Sequence, residues 1–415
     1  MRRLHLARRA GAVTLALCLC PWFGTAASAA PPAPAWATTL PIDVRTGSVA
    51  VDGAGDVYVT GVRGTDDTAA VLEKLGPDGS HVWTRAWAQH EAHADGELVA
   101  VAADGSVYFA GTIGSLHFEG GAWFLRKYAA DGTLEWARAE PSWRHGRTAD
   151  HPTGLAVSKH QVLLAGSYQG CCGDFRSRDG WVLAFDTDGH RRWRSPFEAA
   201  GLGAFSDEAD GIAVAPGGTI YVAGWAALGP ESEEVAAPHE LFLQALDPGG
   251  NVVWSRTYPA TAWIDQDFDA NVAVQGRALI VSAFVDGSPV EYPGAHPGHA
   301  WLGRFTLGGA LRWSRTWGAA IHTAADPIGL AMGDGGRIHV VGTRRDPSDK
   351  GLDGSLRAYS SSGKLLWKVR LPDAARLVQG VGVSWGPSGL AVAAAASTNR
   401  FGPVLHADVW SFADH

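Results

Sequence analysis

The chain has 415 residues, 46% of them hydrophobic, with 34 Lys+Arg against 42 Asp+Glu and a formal charge of −8. An acidic surface repels phosphate backbones and anionic lipid, which makes nucleic acid a poor partner. Beyond the first thirty residues no apolar run approaches the ~20 residues of a membrane-spanning helix. Of the four cysteines only two lie beyond that segment, too few for a framework of disulfides.

Residues 1–29 read as a secretory signal. Arg2, Arg3, Arg8 and Arg9 precede an apolar run from about Ala10 to Cys20, and Ala27-Ser28-Ala29 forms a small-residue cleavage site. Leu17 spoils a lipidation box before Cys18, so the expected fate is export as a soluble, monomeric protein, periplasmic or secreted. Cleavage takes four arginines from the 34 basic residues and no acid, leaving 30 against 42, a charge of −12. Residues 30–34 are a Pro/Ala linker, and everything from 35 to 415 belongs to one repeating pattern.

The first predicted element is a strand around Trp36, in Ala35-Trp36-Ala37-Thr38. A four-strand unit then recurs. Residues 211–258 show it plainly. Gly211-Ile212-Ala213-Val214-Ala215 is a small, apolar strand, and Pro216-Gly217-Gly218 turns it into Ile220-Tyr221-Val222-Ala223-Gly224. A long connection leads to Leu241–Leu246, and Asp247-Pro248-Gly249-Gly250 turns into Val252–Tyr258. In six copies a Gly precedes a Trp by four residues: Gly79/Trp83, Gly132/Trp136, Gly189/Trp193, Gly250/Trp254, Gly309/Trp313 and Gly363/Trp367. Such a period is the mark of a solenoid or a propeller. The seventh copy is split. Val409-Trp410-Ser411-Phe412 stops where a turn and a Trp strand should follow, and the strand around Trp36 has no earlier strands of its own.

The ends complete each other. The expected fold is therefore all-β, a single seven-bladed β-propeller with four antiparallel strands per blade. The N-terminal strand closes the last blade, begun by residues 379–413. Antiparallel order places the tight turns, such as Asp104-Gly105 and Asp131-Gly132, on one face of the disc. The long connections, among them Tyr168–Arg178, Ala226–His239 and Val285–Gly298, share the other face, where binding functions collect.

The repeat resembles the SBBP-type bacterial β-propeller repeat. Gly55-Asp56-Val57-Tyr58-Val59-Thr60-Gly61 matches that family's second strand, and Asp179–Phe185 and Asp353–Tyr359 match its third. The resemblance covers residues 35–415 and implies a fold; it implies no reaction, since propellers host enzymes, lectins and scaffolds alike.

Two series of ionisable residues are candidates for a site on the long-loop face. The position opening the third strand holds Asp179, Glu240, His299, Asp353 and His406, against Ala69 and Ala122 in the first two blades. As a ring these could hold a cation, calcium being the one that oxygen ligands suit; alternatively each accepts hydrogen bonds from its own loop. Asp95, Asp150, Asp207, Asp267 and Asp326 precede the first strands and are expected around the channel mouth, where they either meet a cation or cap turns. Histidines, His93, His151 and His239 among them, crowd the same loops without a recognised metal-site spacing. Trp143, Trp225 and Trp263 suit sugar stacking if exposed, as in a lectin, and otherwise are buried beneath the loops.

Cys171 and Cys172 stand adjacent in a loop of the third blade. After export they are expected to form a vicinal disulfide flanked by glycines. A similar bond occurs in quinone-dependent alcohol dehydrogenases, which are also propellers, and this partial resemblance makes a periplasmic quinone dehydrogenase the alternative function. The chain shows no Gly-x-Ser-x-Gly, no His-Glu-x-x-His and no phosphate loop. The leading expectation is therefore a non-catalytic binding or scaffold module for a glycan, polymer or protein.

Overall fold

The computed structural model describes residues 32–43, 47–64, 68–88, 93–114, 122–141, 151–169, 178–198, 207–227, 239–258, 270–286, 298–318, 325–345, 352–372, 377–397 and 406–413. These form seven four-stranded antiparallel sheets. Six take their strands consecutively from residues 49–87, 93–141, 151–197, 207–258, 271–317 and 325–370. The seventh joins Leu377–Gly386, Gly389–Ser397 and His406–Phe412 to the N-terminal strand Pro34–Leu40, which pairs outermost with Trp36 opposite Ser411. First strands of successive blades touch all the way round, including Leu377–Gly386 against Val49–Val51. The ring is closed, as the split repeat requires.

The core lies between blades. Second strands are apolar on both faces because each face meets a neighbouring blade. In Val57–Arg63, Val57 and Val59 pack towards Ala393, Ala395 and Val409 of the last blade. Tyr58 points the other way, towards Phe109 and Phe124 of the second blade. Each fully buried side chain of this size stabilises by about 1.5–3 kcal/mol.

The outer edge is held by a repeated device. The indole N–H of five Trp strands donates to a turn carbonyl of the next blade: Trp83 to Ala130, Trp136 to Thr187, Trp193 to Pro248, Trp254 to Leu307 and Trp313 to Ser361. Two residues on, Arg85, Arg138 and Arg315 donate from Nε to the carbonyls of Gly132, Gly189 and Gly363. The conserved spacing of Gly and Trp thus belongs to two blades at once. Gly189, Gly250 and Gly363 receive the tryptophan of the blade before, while Gly132 and Gly309 lie against Arg85 and Arg256.

Among the described residues no helix is long and apolar enough to cross a membrane. Residues 1–29, where a signal is expected, and the loop bearing Cys171 and Cys172 lie outside the described residues.

Candidate acid–base site at the ring axis

First strands crowd together at the axis, and their backbones bulge there. The pairing slips by one residue between Gly96 and Leu98, Pro152 and Gly154, Ala209 and Gly211, Pro327 and Gly329, and Gly380 and Gly382. Glycine is needed beside the bulge because the next backbone is so near. A Cβ on Gly154 would lie 2.7 Å from Asp210 O, and one on Gly211 would lie 2.6 Å from Ala270 O. The bulged residue is re-aimed towards a neighbouring blade. Thr153 donates to Ala209 O, and Asp210 Oδ2 accepts from Ala270 N at 3.0 Å.

In the second blade the bulged residue is Glu97, 5% exposed. Thr112 donates to its Oε1 at 2.9 Å, and His151 Nδ1 of the third blade stands 3.3 Å from the same oxygen. Glu97 Oε2 is buried without a protein partner among the described residues. Burial pushes the Glu97 carboxyl above its ordinary range, against the opposing pull of His151 and Thr112. The hydrogen bond to Glu97 raises the His151 pKa, with further contributions from Glu208 and Asp95. The imidazole itself is solvent-facing, with 55% of its side chain exposed.

Two flanking carboxylates are held from the adjacent blades. Ser167 donates to Glu208 Oε1 at 2.9 Å, and Thr68 donates to Asp95 Oδ1 at 3.1 Å. Thr68 N also donates to His93 Nδ1 at 3.3 Å, and His93 Nε2 is buried without a partner among the described residues. One arc of the axis, built by blades two to four, therefore carries a half-exposed imidazole among three carboxylates. With Nδ1 fixed against Glu97, Nε2 is the nitrogen left to exchange a proton with a bound molecule.

Of the expected channel-mouth series, Asp95 and Asp326 occupy one structural position, two residues before the bulge, opposite Thr112 and Thr343. His151 and Glu208 fill that position in blades three and four. Asp207 falls one residue earlier than Glu208, so the two point to opposite sides of their strand. Asp150 and Asp267 lie outside the described residues. Glu97 and Glu208 escaped the sequence reading; the available signal was a carboxylate near a first-strand glycine, one residue after Gly96 and three before Gly211.

Asp179, Glu240, His299, Asp353 and His406 do occupy equivalent positions, opposite Tyr168, Ala226, Val285, Arg344 and Ala396. Each lies on the third strand out from the axis of its own blade, so they are dispersed round the disc. His406 Nε2 is 3.4 Å from Asp408 Oδ2 within its own strand. Trp225 is 1% exposed, which removes it from any sugar-stacking role. Among the described residues three metal-capable side chains gather within 4.8 Å only at Asp186, Asp188 and His190, on the tight-turn face. There Asp186 accepts the N–H groups of Asp188 and His190 and pairs with Arg192, the pattern of a turn cap.

No family model and no curated protein matches the chain. Solved structures that resemble it include a mutant of the Synechocystis apocarotenoid oxygenase, at 12% identity and TM-score 0.47, over 79% of this chain and 72% of that one. An ACO/RPE65 chimera resembles it at 11% identity and TM-score 0.48, over 81% and 73%. At these levels the likeness transfers neither substrate nor metal. The axis itself, however, carries an acid–base pair, Glu97 with His151. The expectation of a non-catalytic binding or scaffold module is corrected accordingly.

Proposed function

We propose that this chain, an SBBP-type propeller by its Gly55–Gly61 and Asp179–Phe185 motifs, is an exported enzyme that transfers protons at the ring axis. His151 is the proton-transferring group, Glu97 holds its Nδ1, and Asp95 and Glu208 favour a neutral or cationic substrate over an anion. The observation that carries the reading is the 3.3 Å contact between buried Glu97 Oε1 and Nδ1 of the half-exposed His151. A positioned general acid–base contributes ~10²–10⁴-fold to a rate.

Assay of the native chain on chromogenic esters and glycosides should show turnover that falls about a hundredfold in His151→Gln. Glu97→Gln should lower the rate and shift its pH profile. Failure across the panel, or turnover indifferent to both substitutions, would sink the reading. Export through residues 1–29 and a bond between Cys171 and Cys172 complete it, supported by the apolar run, the cleavage site and the adjacency of the two thiols. Intact mass of the secreted protein should begin at Ala30 and be lighter than the reduced form by two hydrogens.

A further inference from the structure

The tight-turn face carries a local reversal of charge in an acidic chain. The third-strand residue before the terminal apolar position is basic in three blades, namely Lys74, Lys127 and Arg304, opposite Trp83, Trp136 and Trp313. In the first blade Lys74 Nζ is neutralised by Asp56 Oδ2 at 2.7 Å, and in the second Lys127 Nζ by Glu135 Oε2 at 2.8 Å. The fifth blade has neither acid. Ala278 replaces Asp56 in the register, and the bulge position of Glu135 is filled by a second cation, Arg312. The turn between the first two strands adds a third, Arg277, where the first and second blades place Asp52 and Asp104 in theirs.

These three guanidiniums face common space. A cavity of about 630 Å³ is lined by Arg277, Arg304 and Arg312. A second, of about 180 Å³, shares Arg277 and Arg304 and continues towards Gln275, Met332 and Ser361, between the fifth and sixth blades. No carboxylate lines either one. Arg304 is anchored by donation from Nη1 to Ser361 O at 2.6 Å, the carbonyl that also takes the Trp313 indole N–H at 3.2 Å. Arg277 and Arg312 are exposed and form no ion pair among the described residues.

Three unneutralised guanidiniums round one cavity repel one another, and a multiply charged oxyanion removes that repulsion while accepting their N–H groups in pairs. We propose that the groove between blades five and six on the tight-turn face binds an oxyanion of the phosphate class, as the free ion or as an ester. The site is independent of the axial one and opens on the opposite face.

Isothermal titration of the full chain at fixed ionic strength, with inorganic phosphate and with glycerol phosphate, tests it. Saturable binding is expected for at least one, and the stronger ligand tells ester from free ion. Arg312→Glu, which reinstates the second blade's charge pattern beside Arg304, should weaken binding at least ~tenfold, and Arg277→Gln should weaken it less. Both side chains are exposed, so both variants should keep the native melting temperature. No saturable heat up to about 10 mM of either ligand, or native-like affinity in both variants, overturns the proposal.

Discussion

The indole N–H of Trp36 donates to the carbonyl oxygen of Pro77 at 2.8 Å, from the N-terminal strand of the last blade to a turn of the first. Beside it Thr38 donates to Gly79 O at 2.7 Å. This is the contact that Trp83, Trp136, Trp193, Trp254 and Trp313 make with the blade after them, here made across the junction of the two chain ends. The strand also covers the edge of His406–Phe412, which would otherwise present unpaired backbone groups.

Removal of residues 34–40 should therefore open the ring and lower the melting temperature sharply. Trp36→Ala should cost about 2 kcal/mol, less than a fully buried tryptophan because the ring is half-buried. Chemical denaturation of the two variants checks this. A midpoint unchanged by the deletion would show that the ends do not carry the closure.

Glycine spacing makes a second prediction. Gly250 has φ +84°, and a Cβ there would stand 2.6 Å from Cδ2 and Cε3 of Trp193. Gly250→Ala thus combines left-handed strain with displacement of the indole from the outer seam, and should cost about 2 kcal/mol. Gly217, in a turn of the same blade, meets nothing within 4 Å of an added Cβ. Gly217→Ala should fall within about 0.5 kcal/mol of native. Equal losses in the two would refute the seam argument.

The same contrast explains what could be read in advance. The seam is written in one fixed spacing, a glycine followed four residues later by a tryptophan, which recurs in six copies. The fold therefore shows in the spacing of Gly79 and Trp83 alone. The axial site depends on β-bulges, and an unpaired residue leaves no compositional trace. Because side chains alternate, one extra residue exchanges the two faces of a strand. Counting back from the strand picked Asp207 where Glu208 holds the axial position, and read His151 as one loop histidine among many. Glu97 sits inside a strand, at a position that sequence alone assigns to the core.

Lys74 offers a double-mutant test of the first blade. Its ammonium is 8% exposed, 2.7 Å from Asp56 Oδ2, with Nζ also donating to Ala130 O at 3.2 Å and lying 5.1 Å from the Tyr58 ring centroid. Asp56→Ala leaves a nearly buried cation without its counter-charge, and should cost about 3 kcal/mol. Asp56→Ala with Lys74→Met removes both charges and should cost less than the single change. A double variant less stable than Asp56→Ala would show that the ammonium is held mainly by Ala130 and Tyr58.

The last prediction is the pH dependence of stability. Several aspartates, Asp78, Asp104, Asp131, Asp186 and Asp247, are lowered from 3.8 and so contribute stability already complete above that pH. Lys74 and the tyrosines are raised from 10.5 and 10.0, and lose stability only in strong alkali. Between these limits the shifted groups among the described residues are Glu97, raised from 4.5, and His151, raised from 6.5. Both bind their proton more tightly folded than unfolded, so both contributions are complete at low pH and are lost as pH rises through the folded values. The melting temperature should decline on going from about pH 5 to pH 8. In Glu97→Gln the decline should flatten, since the buried carboxylate is gone and His151 returns towards its ordinary value. Calorimetry gives the first result and a proton NMR titration of His151 the second. A native melting temperature that rises across this range, or a His151 titration unmoved by Glu97→Gln, would separate the two side chains and dissolve the acid–base pair at the axis.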